Sequence, residues 1–186
     1  MKNIRIDGEF IYGINPILEV LKQGGDEIKE VTVASGRKGS AFESILTLAA
    51  DKNIPVLFRD RSYLNKVTGC QTHQGIVALC KAFAYREIDE IIGNRQEAQG
   101  IVLILDGVSD PQNLGALIRT AHCLGVRGVI IPGDRAAAVT ATVIKASAGA
   151  VYLLPVAREI NLSRSIDYMK KRGFWIYGAE ADHGMD

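Results

Sequence analysis

The sequence predicts an α/β protein, with a mixed α/β unit in its first half and a parallel sheet in its second. Three observations carry this. Residues 12–84 alternate short apolar strands with amphipathic stretches, and from residue 101 the rhythm becomes strand, helix, strand, helix, strand, helix, strand. Between them, YREIDEIIGNRQEAQ at 85–99 shifts abruptly to charge, with four acids to two bases. Continuous apolar strands separated by amphipathic helices imply a parallel sheet covered on both faces. The expected division is therefore residues 1–84, a linker with a short helix at 85–99, and residues 100–186.

In the first unit, Asn15 and Pro16 predict a helix cap and first helical position. Ile14, Ile17, Leu18 and Leu21 then share one face before Gly24 and Gly25 stop the helix. EVTVAS at 30–35 alternates as a strand. Ser40 and Glu43 have capping-box spacing, and Phe42, Ile45, Leu46 and Ala49 supply the next apolar stripe. IPVLF at 54–58 is strand-like, RDRSYLNKVTG a short polar helix and turn, and GIVALCKAF at 75–83 a strand.

In the second unit the expected strands are IVLIL (101–105), GVIIP (128–132), VYLLPV (151–156) and FWIYGAE (174–180). The expected helices are 113–124, 140–148 and 161–172. Ligands of open α/β sheets lie beyond the carboxyl ends of the strands, so the loops to search are 106–112, 133–139 and 178–186.

Composition narrows the chemistry. Apolar residues make up 47% and charged residues 23%, as in ordinary globular proteins. No apolar run approaches the roughly 20 residues of a bilayer crossing, and MKNIRIDGEF lacks the apolar core of a secretion signal. Cys70, Cys80 and Cys123 form no CxxC pair, and His73, His122 and His183 have no ligand spacing, so neither a disulfide framework nor a metal site is expected. A cytoplasmic location follows as an expectation. Net charge is +1, so any polyanion site must be local. Arg37, Lys38, Arg59 and Arg61 are candidates for such a patch. His73 reads as a turn residue, and Lys170, Lys171 and Arg172 as cations complementing a helix end.

The loop LDGVSDPQNLGALIRTA at 105–121 contains neither GxGxxG nor GxxxxGK[ST], which argues against a dinucleotide or P-loop site. Asn113 either caps the helix or offers its amide to a ligand. Arg119, six residues on, is expected near the same side, and Gly115 either admits a close approach or permits tight helix packing.

The whole string LDGVSDPQNLGALIRTAHCLGVRGVIIP resembles the first motif and following strand of the SpoU (TrmH) branch of the SPOUT RNA methyltransferases. The resemblance continues through DRAAAVTATVIKASAGAVYLLPVARE. YGINPILEVL and THQGIVALCKAF are similar to the ribosomal-protein-L30e-like substrate-binding domain that precedes the catalytic domain in the branch modifying 23S rRNA. It implies an L30e-like α/β domain followed by a parallel-sheet α/β-knot domain. It also implies methyl transfer from S-adenosylmethionine to a ribose 2′-hydroxyl, with guanosine in 23S rRNA as the closest substrate match, and a homodimer.

Carried over by motif, Asn113 and Arg119 are the expected active-site positions. A guanidinium holds its proton, which favours Arg119 as a clamp on phosphate or developing alkoxide over a proton acceptor. The resemblance also suggests a cleft near Arg135, Lys145 and Ser147 for RNA, joined by Arg37 and Lys38 of the front unit. Ala179 and Glu180 are the cofactor candidates. The family's later GSEG-type loop and Ser-Leu-Asn segment do not occur in this sequence, so the knot segment is expected to be absent, with an uncovered sheet edge and poor cofactor binding. The alternatives are an RNA-binding remnant without catalysis, a tRNA ribose methyltransferase, a resistance methylase acting on the ribosome, and a small-molecule enzyme on a Rossmann-like sheet.

Overall fold

A computed structural model describes residues 9–93 and 100–179. In the first unit, β1 (Glu9–Tyr12), β2 (Ile28–Ala34), β3 (Val56–Arg59) and β4 (Ile76–Cys80) form a mixed sheet in the order β1-β4-β2-β3. β2 and β3 are parallel, and β4 is antiparallel to both of its neighbours. Helices α1 (Ile14–Lys22), α2 (Ser40–Asp51) and α3 (Arg61–Thr68) connect these strands. Sequence reasoning starts this unit at residue 12 and misses β1. Four residues carry too little alternation to read, and the strand is fixed by pairing, Glu9 opposite Cys80 and Tyr12 opposite Val77.

Both expected helix caps are replaced by glycine. α1 begins at Ile14 after Gly13 (φ 103), and Ile14 N donates to Gln74 Oε1 at 2.8 Å, so Asn15 does not cap and Pro16 sits in the first turn. Proline is tolerated there because its missing N–H has no intrahelical partner. Gly39 likewise precedes α2, so Ser40 is the first helical residue and the Ser40–Glu43 box does not form. A capping box does open α4 (Ile88–Ile92), where Glu87 N donates to Glu90 Oε1 at 3.1 Å.

That helix revises the expected linker. Ile91 and Ile92 are buried with Ile130, Ala157 and Met169. Asp89 Oδ1 accepts from Tyr168 Oη at 2.5 Å and from Arg172 Nη2 at 3.1 Å. Ile88, Ile91 and Ile92 form an apolar face at i, i+3 and i+4, which the surrounding charge conceals in composition. Residues 94–99 lie outside the described residues.

The second sheet holds β5 (Val102–Ile104), β6 (Gly128–Pro132) and β7 (Val156–Glu159), all parallel, in chain order. It is served by α5 (Pro111–Cys123), α6 (Ala141–Ala146) and α7 (Leu162–Lys171). Two strand expectations change. VYLLPV is a 3-10 turn at Ala150–Tyr152 followed by a strand that starts only at Val156. Gly149 (φ 89) turns the chain there, and a Cβ on it would come within 3.3 Å of Pro16 Cα. FWIYGAE pairs with no strand over its described residues, 174–179. Its period of two survives, with Phe174 and Ile176 packed against the Ile130–Met169 cluster and Trp175 and Tyr177 85% and 87% exposed.

One apolar interior joins the units, running from Ile17, Leu21 and Ile45 to Leu114, Ile118, Val129 and Val143. Each such aliphatic side chain stabilises the fold by about 1.5–3 kcal/mol when fully buried.

Candidate active site

Asp110 caps α5. Its Oδ1 accepts from Gln112 N at 3.0 Å, and Pro111 fills the first helical position, where no N–H is needed. Asn113 therefore does not cap this helix. Asn113 is exposed inside the first turn, and its amide has no partner among the described residues. It lines a groove of about 510 Å³ with Gly107, Val108, Ser109, Asp110 and Leu117, at the carboxyl end of β5.

Leu114, Gly115, Ile118 and Ala121 form the buried face of α5. Gly115 is a packing glycine, since a Cβ there would stand 2.5 Å from Ala146 Cβ and 2.8 Å from Val143 O on α6. Arg119 is exposed and does not line the groove. Six helical positions rotate a side chain to about 120° from its starting direction, so Asn113 and Arg119 share the exposed half of α5 rather than one side. This corrects the expectation from spacing.

The loop after β6 is drawn onto the same groove. Ala137 N donates to Val108 O at 2.8 Å, Val139 N donates to Tyr85 Oη at 2.9 Å, and Arg158 Nη2 donates to Gly133 O. The Arg158 guanidinium also lies over the Tyr85 ring, 5.7 Å from its centroid. Within this pinned segment Arg135 is exposed at φ 55. A left-handed non-glycine residue costs on the order of 1–3 kcal/mol and persists where its surroundings fix it. Sequence reasoning missed Tyr85 and Arg158. Tyr85 meets Val139 across 54 residues, and no local pattern signals such a pair.

The other expected residues divide. Ser147 is fully buried and its Oγ donates to Ile144 O at 3.0 Å, at the end of its own helix. Lys145 is half-buried at the seam between the units, with Nζ 2.8 Å from Thr72 Oγ1 and 4.8 Å from the Tyr12 ring centroid. Arg37 and Lys38 are exposed after β2, and Arg37 Nη2 donates to Gln74 O at 2.9 Å. His73 is fully buried. Its Nδ1 accepts from Gly75 N at 2.9 Å and its Nε2 lies 2.8 Å from Asn65 Oδ1, an arrangement that fits the neutral ring with its proton on Nε2. Ala179 is exposed, and Glu180 lies outside the described residues.

Residues 10–86 match the family model for RNA 2′-O ribose methyltransferase substrate binding, and residues 100–186 match that of the SpoU rRNA methylase family. The chain belongs to the SpoU methylase family. It is 38% identical over 178 residues to a TrmH family tRNA/rRNA methyltransferase of Staphylococcus haemolyticus, covering 95% of this chain and 71% of that protein. A TrmH family tRNA/rRNA methyltransferase of Bacillus subtilis, YacO, is 38% identical over 180 residues, covering 96% and 72%.

Among solved structures, an AdoMet-bound rRNA methyltransferase from Sinorhizobium meliloti is similar with a TM-score of 0.69 and 23% identity, covering 89% of this chain and 59% of that one. The SpoU methyltransferase AviRb from Streptomyces viridochromogenes, in complex with AdoMet, gives a TM-score of 0.70 at 20% identity, covering 90% and 61%. These two show the fold, and this SpoU chain spans about three fifths of their length. No described helix is long and apolar enough to cross a membrane, and no metal-binding group of His, Cys, Asp and Glu occurs among the described residues.

Proposed function

We propose that this SpoU protein transfers a methyl group from S-adenosylmethionine to a ribose 2′-hydroxyl of RNA, with guanosine in 23S rRNA as the first substrate to test. The observation that carries the reading is the groove after β5, where Asp110 supplies the helix cap and leaves the Asn113 amide uncommitted. Ligand sites of parallel sheets lie at this end. S-adenosylmethionine, when bound, supplies an electrophilic methyl on a sulfonium.

The groove itself is lined by the loop after β5 and the first turns of α5. The roles assigned are those of the chain's own side chains. Asn113 orients the ribose by hydrogen bonding. Arg119 clamps a phosphate or the developing alkoxide through its planar fork. Arg135 meets the RNA backbone, as do Arg37 and Lys38 in the substrate-binding unit. Homodimerisation, a cytoplasmic location and an Ala179 contact to the cofactor belong to the same proposal.

The test is transfer of a radiolabelled methyl to 23S rRNA and to tRNA, with the site mapped by loss of alkaline cleavage at the modified ribose. Labelled 23S rRNA with an unlabelled base-modification profile supports the reading. RNA that binds without acquiring label overturns it in favour of a non-catalytic RNA-binding protein. Arg119→Lys retaining the wild-type rate constant would remove the fork-shaped clamp.

A further inference from the structure

The loop from Gly133 to Val139 leaves the carboxyl end of β6 and is fastened at its start, its middle and its end. Gly133 has both backbone groups engaged, its N–H donating to Glu159 O at 2.8 Å and its carbonyl accepting from Arg158 Nη2. Ala137 N donates to Val108 O in the wall of the groove. Val139 closes the loop with its N–H on Tyr85 Oη. The two outer fastenings form one clip, because the Arg158 guanidinium lies over the ring of the same Tyr85.

A guanidinium suits this place. It is flat, so one face rests on an aromatic ring while its N–H groups donate in the plane, which a lysine ammonium does not reproduce. Arg158 is exposed and makes no ion pair among the described residues, so no counter-charge accounts for its position. Register sets it there, since β6 and β7 are parallel with Ile131 opposite Arg158, just before the loop begins. Between the fastenings, Arg135 is exposed in the left-handed region at φ 55. Such a backbone persists where its surroundings over-determine it, and the fastenings on either side of Arg135 supply that constraint.

We propose that Arg158 is a positioning residue for the reaction, and that through its clip with Tyr85 it fixes the loop that presents Arg135 beside the groove. The inference rests on the functional reading above, in which Arg135 meets the RNA backbone. Arg158 acts through the loop and not on the substrate. Tyr85 lies in the segment that leaves the first unit, so the clip also ties the presentation of Arg135 to the seating of that segment.

Two measurements on the whole protein test this. The first needs no catalysis and follows trypsin cleavage after Arg135 by mass spectrometry. Cleavage of a folded chain tracks the population in which the loop opens. R158M keeps a side chain over the Tyr85 ring and removes the donor to Gly133. Losing one charge-assisted hydrogen bond is expected to speed the cut on the order of tenfold. R158K keeps the charge without the flat face and is expected to fall between R158M and wild type.

The second is single-turnover methyl transfer over a range of 23S rRNA fragment concentrations in wild type, R135Q, R158M and R135Q/R158M. Each single variant is expected to raise the half-saturating RNA concentration about tenfold while the limiting rate constant stays near wild type. The double variant is expected to match R135Q alone, since a residue that works through Arg135 then has nothing left to position. A role in fold stability alone would not produce this non-additivity.

Wild-type cleavage after Arg135 in R158M overturns the clip, and additive losses in the double variant overturn action through Arg135. R158K with wild-type cleavage overturns the need for a flat guanidinium. Absence of transfer in the wild-type protein counts against the proposed reaction, and the digestion alone then decides whether Arg158 holds the loop.

Discussion

Tyr85 Oη accepts a hydrogen bond from Val139 N at 2.9 Å, so the segment ending the first unit holds the loop that follows β6 in the second. The Tyr85 ring stands edge-on to Phe83 with centroids 5.2 Å apart, and Arg158 covers it while donating to Gly133 O. Tyr85→Phe keeps the ring contacts and removes only the acceptor. Val139 is 4% exposed, so its N–H is left unpaired, a loss of about 1–3 kcal/mol. Faster hydrogen exchange is expected at the Val139 amide and its loop neighbours, while strand amides in β2 and β4 keep their protection. Unchanged exchange at Val139 would show that the loop is held without Tyr85.

Gly115→Ala sets two effects against each other. Alanine is the better helix former by about 1 kcal/mol. Its Cβ would stand 2.5 Å from Ala146 Cβ and 2.8 Å from the Val143 carbonyl, neither of them a flexible side-chain end. Overpacking costs about 1–3 kcal/mol, so net destabilisation is expected in urea unfolding. Gly115→Ala combined with Ala146→Gly should recover only part of the loss, because the contact with the Val143 carbonyl remains and glycine at 146 costs about 1 kcal/mol of helix propensity; no recovery at all would place the whole clash on the α6 backbone.

What the sequence revealed and what it concealed follow from distance along the chain. The stripes of α1, α2 and α5 and the apolar β6 are local periodicities, and the structure keeps them. Gly13 displaces the expected Asn15 cap because Ile14 N finds its acceptor in Gln74, 60 residues away. The strand expected at VYLLPV is pushed on to Val156 by packing of Gly149 against Pro16, again a distant contact. At the site, Asn113 and Arg119 came from a motif, whereas Tyr85, Arg158 and the seam role of Lys145 arise only once the two sheets are placed together.

Stability should fall in mild acid through His73. Burial first, and then the charges of Arg61 and Arg37, hold its imidazole below the ordinary value of 6.5. The folded protein therefore keeps the ring neutral where the unfolded chain takes up a proton. The neutral ring's contribution is complete above about pH 6.5 and declines as the pH falls from there toward the lower folded-state value. Urea unfolding at about pH 7.5 and about pH 5.5 measures this decline, and His73→Gln should flatten it while lowering stability at the higher pH. An equal decline in wild type and His73→Gln would assign the acid sensitivity to other groups.

Asp110 and Asn113 are three residues apart on one helix end, where Asp110 caps the helix and Asn113 lines the groove. Asp110→Ala removes the side-chain acceptor for Gln112 N, and loss of an N-cap costs about 0.5–2 kcal/mol. Asn113→Ala removes an amide with no partner among the described residues, and alanine is the better helix former, so stability should hold or rise slightly. Methyl transfer should respond in the opposite order. Asn113→Ala is expected to lower the rate constant by at least tenfold, equivalent to about 1.4 kcal/mol of transition-state stabilisation, while Asp110→Ala retains transfer at temperatures where it stays folded. The pair is decided by measuring thermal unfolding and single-turnover transfer on both variants. If Asn113→Ala loses stability and keeps its rate constant, the amide is structural and the groove after β5 loses its place in the reaction.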